Sequence, residues 1–272
     1  MRRIAYPAAL LLNKLSLEHP ERITALTHYL WAKRILKECN INKLTIGIAT
    51  DFYPFHFMDE YKRPQGYEID LCEMIKQYFE VDIEYKLHSN GLMDMFTSLE
   101  CNEVDLIVSS LGVNEERKRV VNFTTPYFEN CLGLAVNGKY KNVQNLNELN
   151  KPDVKIAVSL GSTAEFPALR NFYRANIIKY AGSTVIEQKL LEERVDAVIS
   201  DANWINFLQR RHPSEIHILE KKIAGTSELS SIAVAKDKPS LVAAISIFLL
   251  QYNDSPVRAK IYQKWFREAE AI

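Results

Sequence analysis

Short apolar runs alternate with amphipathic segments from residue 43 onward, in two successive blocks. The first block predicts strands at 44–49, 81–87 and 104–108 and helices at 66–79 and 92–101. The second block predicts strands at 154–158, 177–180 and 195–199, a helix directly after Thr163, and a helix at 185–194. This alternation predicts two α/β lobes, each a mostly parallel sheet flanked by helices.

The rest of the chain connects and completes these blocks. Apolar runs at 132–136 and 231–235 predict crossover strands, two helices at 240–252 and 257–269 follow, and an amphipathic helix at 20–39 precedes everything else. We therefore predict an N-terminal extension over 1–42, a first lobe of 43–134 plus 225–272, and a second lobe of 135–224. Small molecules prefer interlobe clefts, at the carboxyl ends of the strands.

Charge and composition exclude several classes of function. The chain has 34 Lys and Arg residues and 34 Asp and Glu residues, so its net charge gives no reason to expect a nucleic-acid partner. We expect no metal and no other cofactor, because the six histidines are scattered and no nucleotide-binding or G-x-S-x-G motif is present. The four cysteines lack metal-binding spacing, and we expect buried free thiols.

The first residues give only weak support for export. Met1-Arg2-Arg3 precedes an apolar run at 4–12, as in a signal peptide, but no small-residue cleavage pattern follows it. No run reaches the roughly 18 apolar residues that a membrane-spanning helix needs.

A strand end in the first block carries candidate anion ligands. Ser109 and Ser110 directly follow the predicted strand, and Arg117 stands one turn into the next helix. Hydroxyls, free backbone N–H groups and a guanidinium together suit a carboxylate. Asn114 also fits an ordinary helix N-cap, so the local sequence leaves both interpretations open.

Two strand ends in the second block carry further candidates. Ser162 and Thr163 follow Gly161 before a helix, which suits either a second anion site or a helix cap. Asp201 ends a buried strand and either caps the next helix or accepts a ligand's ammonium group. In the first block, Phe52 and its aromatic neighbours either wall a pocket or belong to the core.

The order of eight short motifs between residues 44 and 266 resembles that of the periplasmic amino-acid-binding proteins of ABC transporters. The motifs are T-D-F-Y-P-F, G-Y-E-I-D-L, V-D-L-I-V-S-S-L-G-V-N-E-E-R, F-T-T-P-Y, L-G-S-T-A-E, V-D-A-V-I-S-D, S-I-A-V-A-K and I-Y-Q-K-W-F. The resemblance implies a type II periplasmic-binding-protein-like fold whose interlobe cleft captures a polar amino acid or similar zwitterion, for uptake or sensing.

The resemblance also implies a role for each candidate. Arg117 would clamp the ligand's α-carboxylate beside Ser109 and Ser110, and the backbone N–H of Thr163 would meet it from the second lobe. Asp201 would take the α-amino group, and the ring of Phe52 would cover the ligand. The ligand's side chain would face loop residues of the first lobe, for which Asp51, Tyr53 and Asn90 are candidates.

The resemblance further implies a monomer in the periplasm, with an ABC transporter permease as its partner. The poor export signal and the long extension leave retention in the cytoplasm open.

Two alternatives stay open. The first is a cyclohexadienyl (prephenate/arogenate) dehydratase, an enzyme branch of the same fold that shares N-x-E-R and L-Q-R-R-H-P with this chain. Glu165 would then be the catalytic proton donor, although Trp204 stands where that branch implies an acid. The second is an interaction module whose helix at 20–39 docks to a partner.

Overall fold

Two five-stranded sheets organise the chain in this computed structural model, which describes residues 20–89, 91–220 and 222–267. The strands are β1 (Lys43–Ala49), β2 (Asp51–Phe52), β3 (His56–Met58), β4 (Pro64–Gln65), β5 (Asp82–His88), β6 (Leu106–Ile107), β7 (Val121–Asn130), β8 (Leu132–Asn137), β9 (Lys155–Ser159), β10 (Asn176–Tyr180), β11 (Ala197–Asp201), β12 (Ile216–Glu220) and β13 (Glu228–Ala235). The α-helices are α1 (Pro20–Glu38), α2 (Tyr67–Phe79), α3 (Leu92–Glu100), α4 (Glu115–Val120), α5 (Glu165–Asn171), α6 (Ser183–Leu191), α7 (Ala202–Arg211), α8 (Pro239–Asn253) and α9 (Pro256–Tyr262).

The two large sheets share one topology. The first has the order β5-β1-β6-β13-β7 and the second the order β10-β9-β11-β8-β12. In each sheet one strand, β13 or β8, runs antiparallel to both of its neighbours, and the other pairs are parallel. All strands but one in each sheet therefore point the same way. The predicted two-lobed α/β fold is confirmed, with sheets that are mixed in detail.

Two crossings connect the sheets. The chain leaves the first sheet at Asn130 and enters the second at Leu132, then returns between Glu220 and Glu228. Residues 132–134, which the predicted lobe boundary assigns to the first lobe, thus lie in strand β8 of the second sheet. We refer below to the parts built on the first and second sheets as the first and second lobes.

Burial on both faces explains the apolar runs in the sequence. Every residue of β8 is buried, as are both residues of β6, because helices cover each sheet on its two sides. In the first lobe, α8 packs on one face through Leu241 and Ile245, and α3 packs on the other through Met95 and Leu99.

Helix α1 packs onto the first lobe. Ala32 and Leu36 are buried in its core, and the side chain of Gln251 in α8 donates a hydrogen bond of 2.9 Å to the carbonyl of Ala25. The apolar run at 4–12 lies outside the described residues. Among the residues that the structure does describe, no helix combines the length and apolarity that crossing a membrane requires.

Several predictions of local structure were wrong. Strands β7 and β12 were not predicted, and the strand expected at 104–108 is reduced to Leu106–Ile107. The strand expected at 195–199 begins two residues later, at Ala197. The last helix ends at Tyr262 and continues as a π-helical turn to Arg267, while residues 268 and 269 lie outside the described residues.

The expectation of buried thiols holds for one cysteine and fails for two. Cys72 is buried, Cys131 is half-buried, and Cys39 and Cys101 are exposed. All four are free thiols. Cys39 directly follows α1 and Cys101 directly follows α3, so their side chains no longer face a core.

Candidate functional site

The residues predicted to hold the ligand's charged groups and to cover it all line one cleft between the two lobes. The cleft contains about 710 Å³ of empty space, part of it open to solvent. Its walls include Phe52, Ser109, Ser110, Arg117, Ser162, Thr163 and Asp201. Asp51, His56 and Glu228 line the cleft as well. Among the described residues, no group of three or more His, Cys, Asp and Glu side chains is placed to hold a metal ion.

Arg117 is held at the cleft by a helix cap and two backbone carbonyls. The side chain of Asn114 accepts a 2.8 Å hydrogen bond from the Arg117 N–H, so the predicted N-cap is confirmed. The guanidinium donates to the carbonyls of Gly112 at 2.7 Å and Gly161 at 2.8 Å. A guanidinium has five N–H donors, so further donors remain for an anion. Burial lowers the pKa of Arg117, and Glu228 opposes that effect; the group stays charged.

The second lobe presents polar groups to the same region. Gly161 has a left-handed φ of 76°, a conformation that glycine adopts without steric cost, and the turn that it makes leads into Ser162 and Thr163. The Ser162 hydroxyl is buried and has no hydrogen-bond partner among the described residues. Buried polar atoms are almost always paired, so an unpaired hydroxyl in a cleft wall is a reason to expect a ligand.

Asp201 is a buried carboxylate at the carboxyl end of β11. It occupies the N-cap position of α7, but its side chain makes no capping hydrogen bond, so the capping interpretation was wrong. Burial is the main cause that raises the pKa of Asp201 well above its usual value, and Glu228 raises it further, while Asn130 opposes. A buried carboxylate with such surroundings is costly to ionise until a cation pairs with it.

The aromatic loop after β1 divides between the cleft and the core. Phe52 is half-buried in the cleft wall and stacks between Phe55, at 5.7 Å between ring centroids, and Trp204, at 5.9 Å. Phe55 is fully buried in the first core. Tyr53 packs against Phe207 at 4.3 Å and does not line the cleft. Asn90 lies outside the described residues.

Glu228 was missed by the sequence analysis. It begins β13, and its carboxylate accepts a 2.8 Å hydrogen bond from the Thr163 hydroxyl across the lobe boundary. A Cβ on Gly112 would lie 2.5 Å from one oxygen of this carboxylate, so the glycine leaves the space that Glu228 fills. Burial raises the pKa of Glu228, and both Thr163 and Arg117 oppose that rise. Nothing in the polar run before β13 indicates this contact.

His56 and Glu68 were also missed. The imidazole Nδ1 of His56 lies 2.6 Å from one carboxylate oxygen of Glu68, and its Nε2 lies 3.3 Å from the Ser109 hydroxyl. The other oxygen of Glu68 accepts hydrogen bonds from the Ser110 N–H, at 2.7 Å, and from the Tyr127 hydroxyl. Burial works to raise the pKa of Glu68, but His56 and these donors outweigh it and hold the pKa below its usual value.

Glu165 does not line this cleft but lines the groove beside it, which also borders Arg117, Thr163 and Glu228. Its carboxylate accepts the N–H of Gly161 and forms an ion pair with Lys179. These two contacts stabilise the turn before α5, and this structural role is sufficient to explain a glutamate at position 165. Trp204, at the position where the dehydratase resemblance implies an acid, is buried behind Phe52.

The two lobes touch across the cleft. Arg117 donates to the carbonyl of Gly161, Thr163 donates to Glu228, and the Thr184 N–H donates to Asp51 at 3.0 Å. Each of these hydrogen bonds joins one lobe to the other, so the cleft is closed in this structure.

Comparison with known proteins places this geometry in a family. The family described as "Bacterial extracellular solute-binding proteins, family 3" matches residues 44–268. A probable histidine-binding protein of Neisseria gonorrhoeae is 26% identical over 223 residues, which cover 81% of this chain and 82% of the relative. Cyclohexadienyl dehydratase of Pseudomonas aeruginosa is 22% identical over 171 residues, covering 62% of this chain and 63% of the enzyme. The solved structure of an ancestral arginine-binding protein bound to arginine has a TM-score of 0.74 and 28% identity, covering 83% of this chain and 98% of that one.

Proposed function

Because the chain belongs to the bacterial extracellular solute-binding proteins of family 3, we propose that it captures a free amino acid in its interlobe cleft. One observation carries the proposal: the cleft holds the Arg117 guanidinium from the first lobe and the buried Asp201 carboxylate from the second. A zwitterion has one charge for each of them. Its α-carboxylate would bind Arg117 with the Ser162 hydroxyl and the Thr163 N–H, and its α-ammonium would bind Asp201.

The remaining charges of the cleft favour a ligand with a cationic side chain. Asp51, Asp201 and Glu228 line the cleft, and Arg117 is the one lysine or arginine among the described residues that line it. A zwitterion neutralises Arg117 and one carboxylate, which leaves an excess of negative charge for a second cation. The relatives named as histidine-binding and arginine-binding agree with this expectation.

We further propose that the protein works as a monomer outside the cytoplasmic membrane and delivers its ligand to an ABC-type permease. The support is the family's description as extracellular solute-binding proteins. Recovery of the protein in the cytoplasmic fraction of its own cells would contradict the location.

Amino-acid binding is favoured over the dehydratase alternative. Glu165, the proton donor that the resemblance offered for catalysis, is paired with Gly161 and Lys179 and lines only the groove beside the cleft, which does not reach Asp201. Incubation with prephenate should therefore give no phenylpyruvate.

Calorimetric titration with the twenty amino acids tests the proposal. We expect lysine, arginine or histidine to bind most tightly and glutamate and aspartate to give no heat. Arg117→Ala should weaken binding at least about 30-fold, because truncating one member of a buried charge pair costs roughly 2 kcal/mol or more. Arg119→Ala is the matched control, since Arg119 is exposed on the same helix.

Two outcomes would contradict the proposal. One is the absence of heat with every amino acid at protein concentrations that detect micromolar binding. The other is unchanged affinity in Arg117→Ala, which would mean that the ligand's carboxylate binds elsewhere.

A further inference from the structure

Ser109, His56 and Glu68 form a continuous chain of hydrogen bonds that starts at the cleft wall. The Ser109 hydroxyl lies 3.3 Å from Nε2 of His56, and Nδ1 of His56 lies 2.6 Å from Glu68. Ser109 and His56 line the cleft, whereas Glu68 is completely buried behind them. The three residues come from three different elements: the loop after β6, strand β3 and the first turn of α2.

The surroundings of Glu68 determine which imidazole nitrogen carries the proton. The Ser110 N–H and the Tyr127 hydroxyl donate to one oxygen of the carboxylate, which leaves the other oxygen to accept from His56. A carboxylate only accepts hydrogen bonds, so Nδ1 is the protonated nitrogen. In the neutral ring, Nε2 therefore presents its lone pair to the Ser109 hydroxyl.

We propose that Ser109 is a nucleophile, with His56 as its general base and Glu68 as the group that orients His56, and that it cleaves esters of the amino acid class that the cleft binds. This arrangement has the roles of a Ser–His–acid triad. The choice of ester rests on the proposed amino-acid-binding function, whereas the reactivity of Ser109 does not. The next residue, Ser110, has a left-handed φ of 47°, and such strain in a residue other than glycine is concentrated at functional sites.

The cleft lining supplies the nucleophile, the general base and the cation that the reaction needs. The Ser109 oxygen attacks the ester carbonyl carbon, its proton passes to Nε2 of His56, and the guanidinium of Arg117 stabilises the negative carbonyl oxygen. The bond from carbon to the alkoxy oxygen then breaks, and His56 returns the proton to the leaving alcohol. Water attacks the Ser109 ester by the same route, releasing the free amino acid and restoring the hydroxyl, while Glu68 stays ionised throughout.

Labelling with diisopropyl fluorophosphate tests the nucleophile. We expect one adduct per chain, which peptide mapping assigns to Ser109 and which is absent from Ser109→Ala. His56→Gln should slow the labelling by about 100-fold or more, the usual contribution of a general base. Ser214→Ala, at an exposed serine outside the cleft, should be labelled like the wild type. Thermal unfolding of each variant confirms that it is folded.

A second measurement follows p-nitrophenolate released from the p-nitrophenyl ester of lysine. We expect a burst equal to the protein concentration, lost in Ser109→Ala. Absence of an adduct on wild-type Ser109 overturns the inference, and so does labelling that His56→Gln leaves unchanged in a folded protein. A protein that binds amino acids without being labelled contradicts this inference alone, and one that is labelled but binds no amino acid contradicts the proposed function alone.

Discussion

Asp201 lowers the stability of the ligand-free protein at neutral pH. Burial first, and then Glu228, raise the pKa of its carboxyl well above the usual value. A group whose pKa is higher in the folded than in the unfolded state favours folding when it is protonated. Its contribution is complete below the unfolded-state pKa and is lost as the pH rises through the folded-state pKa. The stability that Asp201 gives the ligand-free protein is therefore lower at neutral pH than at a pH below the usual aspartate pKa.

Asp201→Asn should raise the melting temperature of the ligand-free protein at pH 7 and abolish amino-acid binding. The amide removes the buried charge, and each kcal/mol gained raises the melting temperature by about 2–4 °C in a protein of this size. The gain should shrink as the pH falls towards 4, because wild-type Asp201 becomes protonated. Scanning calorimetry over this pH range measures both effects.

The matched control is Asp196→Asn. Asp196 is also buried, but it accepts a hydrogen bond of 2.9 Å from the Lys155 N–H and pairs with Lys139. Removing its charge should lower the melting temperature, since a paired buried carboxylate stabilises the fold. A lower melting temperature in Asp201→Asn at pH 7 would show that Asp201 is stabilised within the protein as Asp196 is.

These residues also mark the limit of what the sequence predicts. Asp201 ends a buried strand and Arg117 follows another, so their position near the carboxyl ends of the strands could be predicted from the local pattern. Glu228 and His56 carry no local signal, because their partners Thr163 and Ser109 lie far away along the chain. Only the packing of the two lobes brings those groups together.

Helix α1 contributes to the first lobe through one side only. Ala32 and Leu36 are buried in the core, whereas Leu30 is 56% exposed. Leu36→Ala should destabilise the protein by about 2–5 kcal/mol, the usual cost of truncating a buried leucine. Leu30→Ala makes the same chemical change on the exposed side and should alter stability by less than about 0.5 kcal/mol. Urea unfolding measures both, and ligand affinity should stay unchanged because the helix does not line the cleft.

Equal destabilisation by the two leucine variants would mean that α1 does not pack as described. Loss of stability only for Leu30→Ala would mean that α1 packs on the first lobe through the side that carries Leu30 rather than the side that carries Leu36.

Elements with an uninterrupted apolar pattern were predictable, and elements with an irregular pattern were not. Strand β1 and helix α2 were found within about one residue, since burial imposes a clear period on each. Strand β7 contains Pro126, and its register against β13 shifts near Ser231, so its residues do not alternate. A proline and a bulge each interrupt the alternation of apolar and polar residues, so a prediction that depends on this alternation misses the strand.

The whole molecule couples ligand capture to the contact between its lobes. Two short crossings join the lobes, and the closing hydrogen bonds from Arg117, Thr163 and Thr184 all lie at the cleft. A ligand that touches Arg117 and Asp201 contacts both lobes at once, and it therefore favours the closed form over an open one. The measured affinity therefore rises with the fraction of ligand-free molecules that are already closed.

Thr163→Val should shift the ligand-free protein towards an open form. The variant keeps the volume of the side chain but loses the hydrogen bond to Glu228, which leaves a buried carboxylate without its partner. One such bond contributes about 1 kcal/mol, which corresponds to a change of about fivefold in the ratio of closed to open molecules. Small-angle X-ray scattering should give Thr163→Val a larger radius of gyration than the wild type without ligand, and the same value with saturating ligand. Thr163→Ser keeps the hydroxyl and should behave like the wild type, so equal radii for the two ligand-free variants would exclude this hydrogen bond as a closing contact.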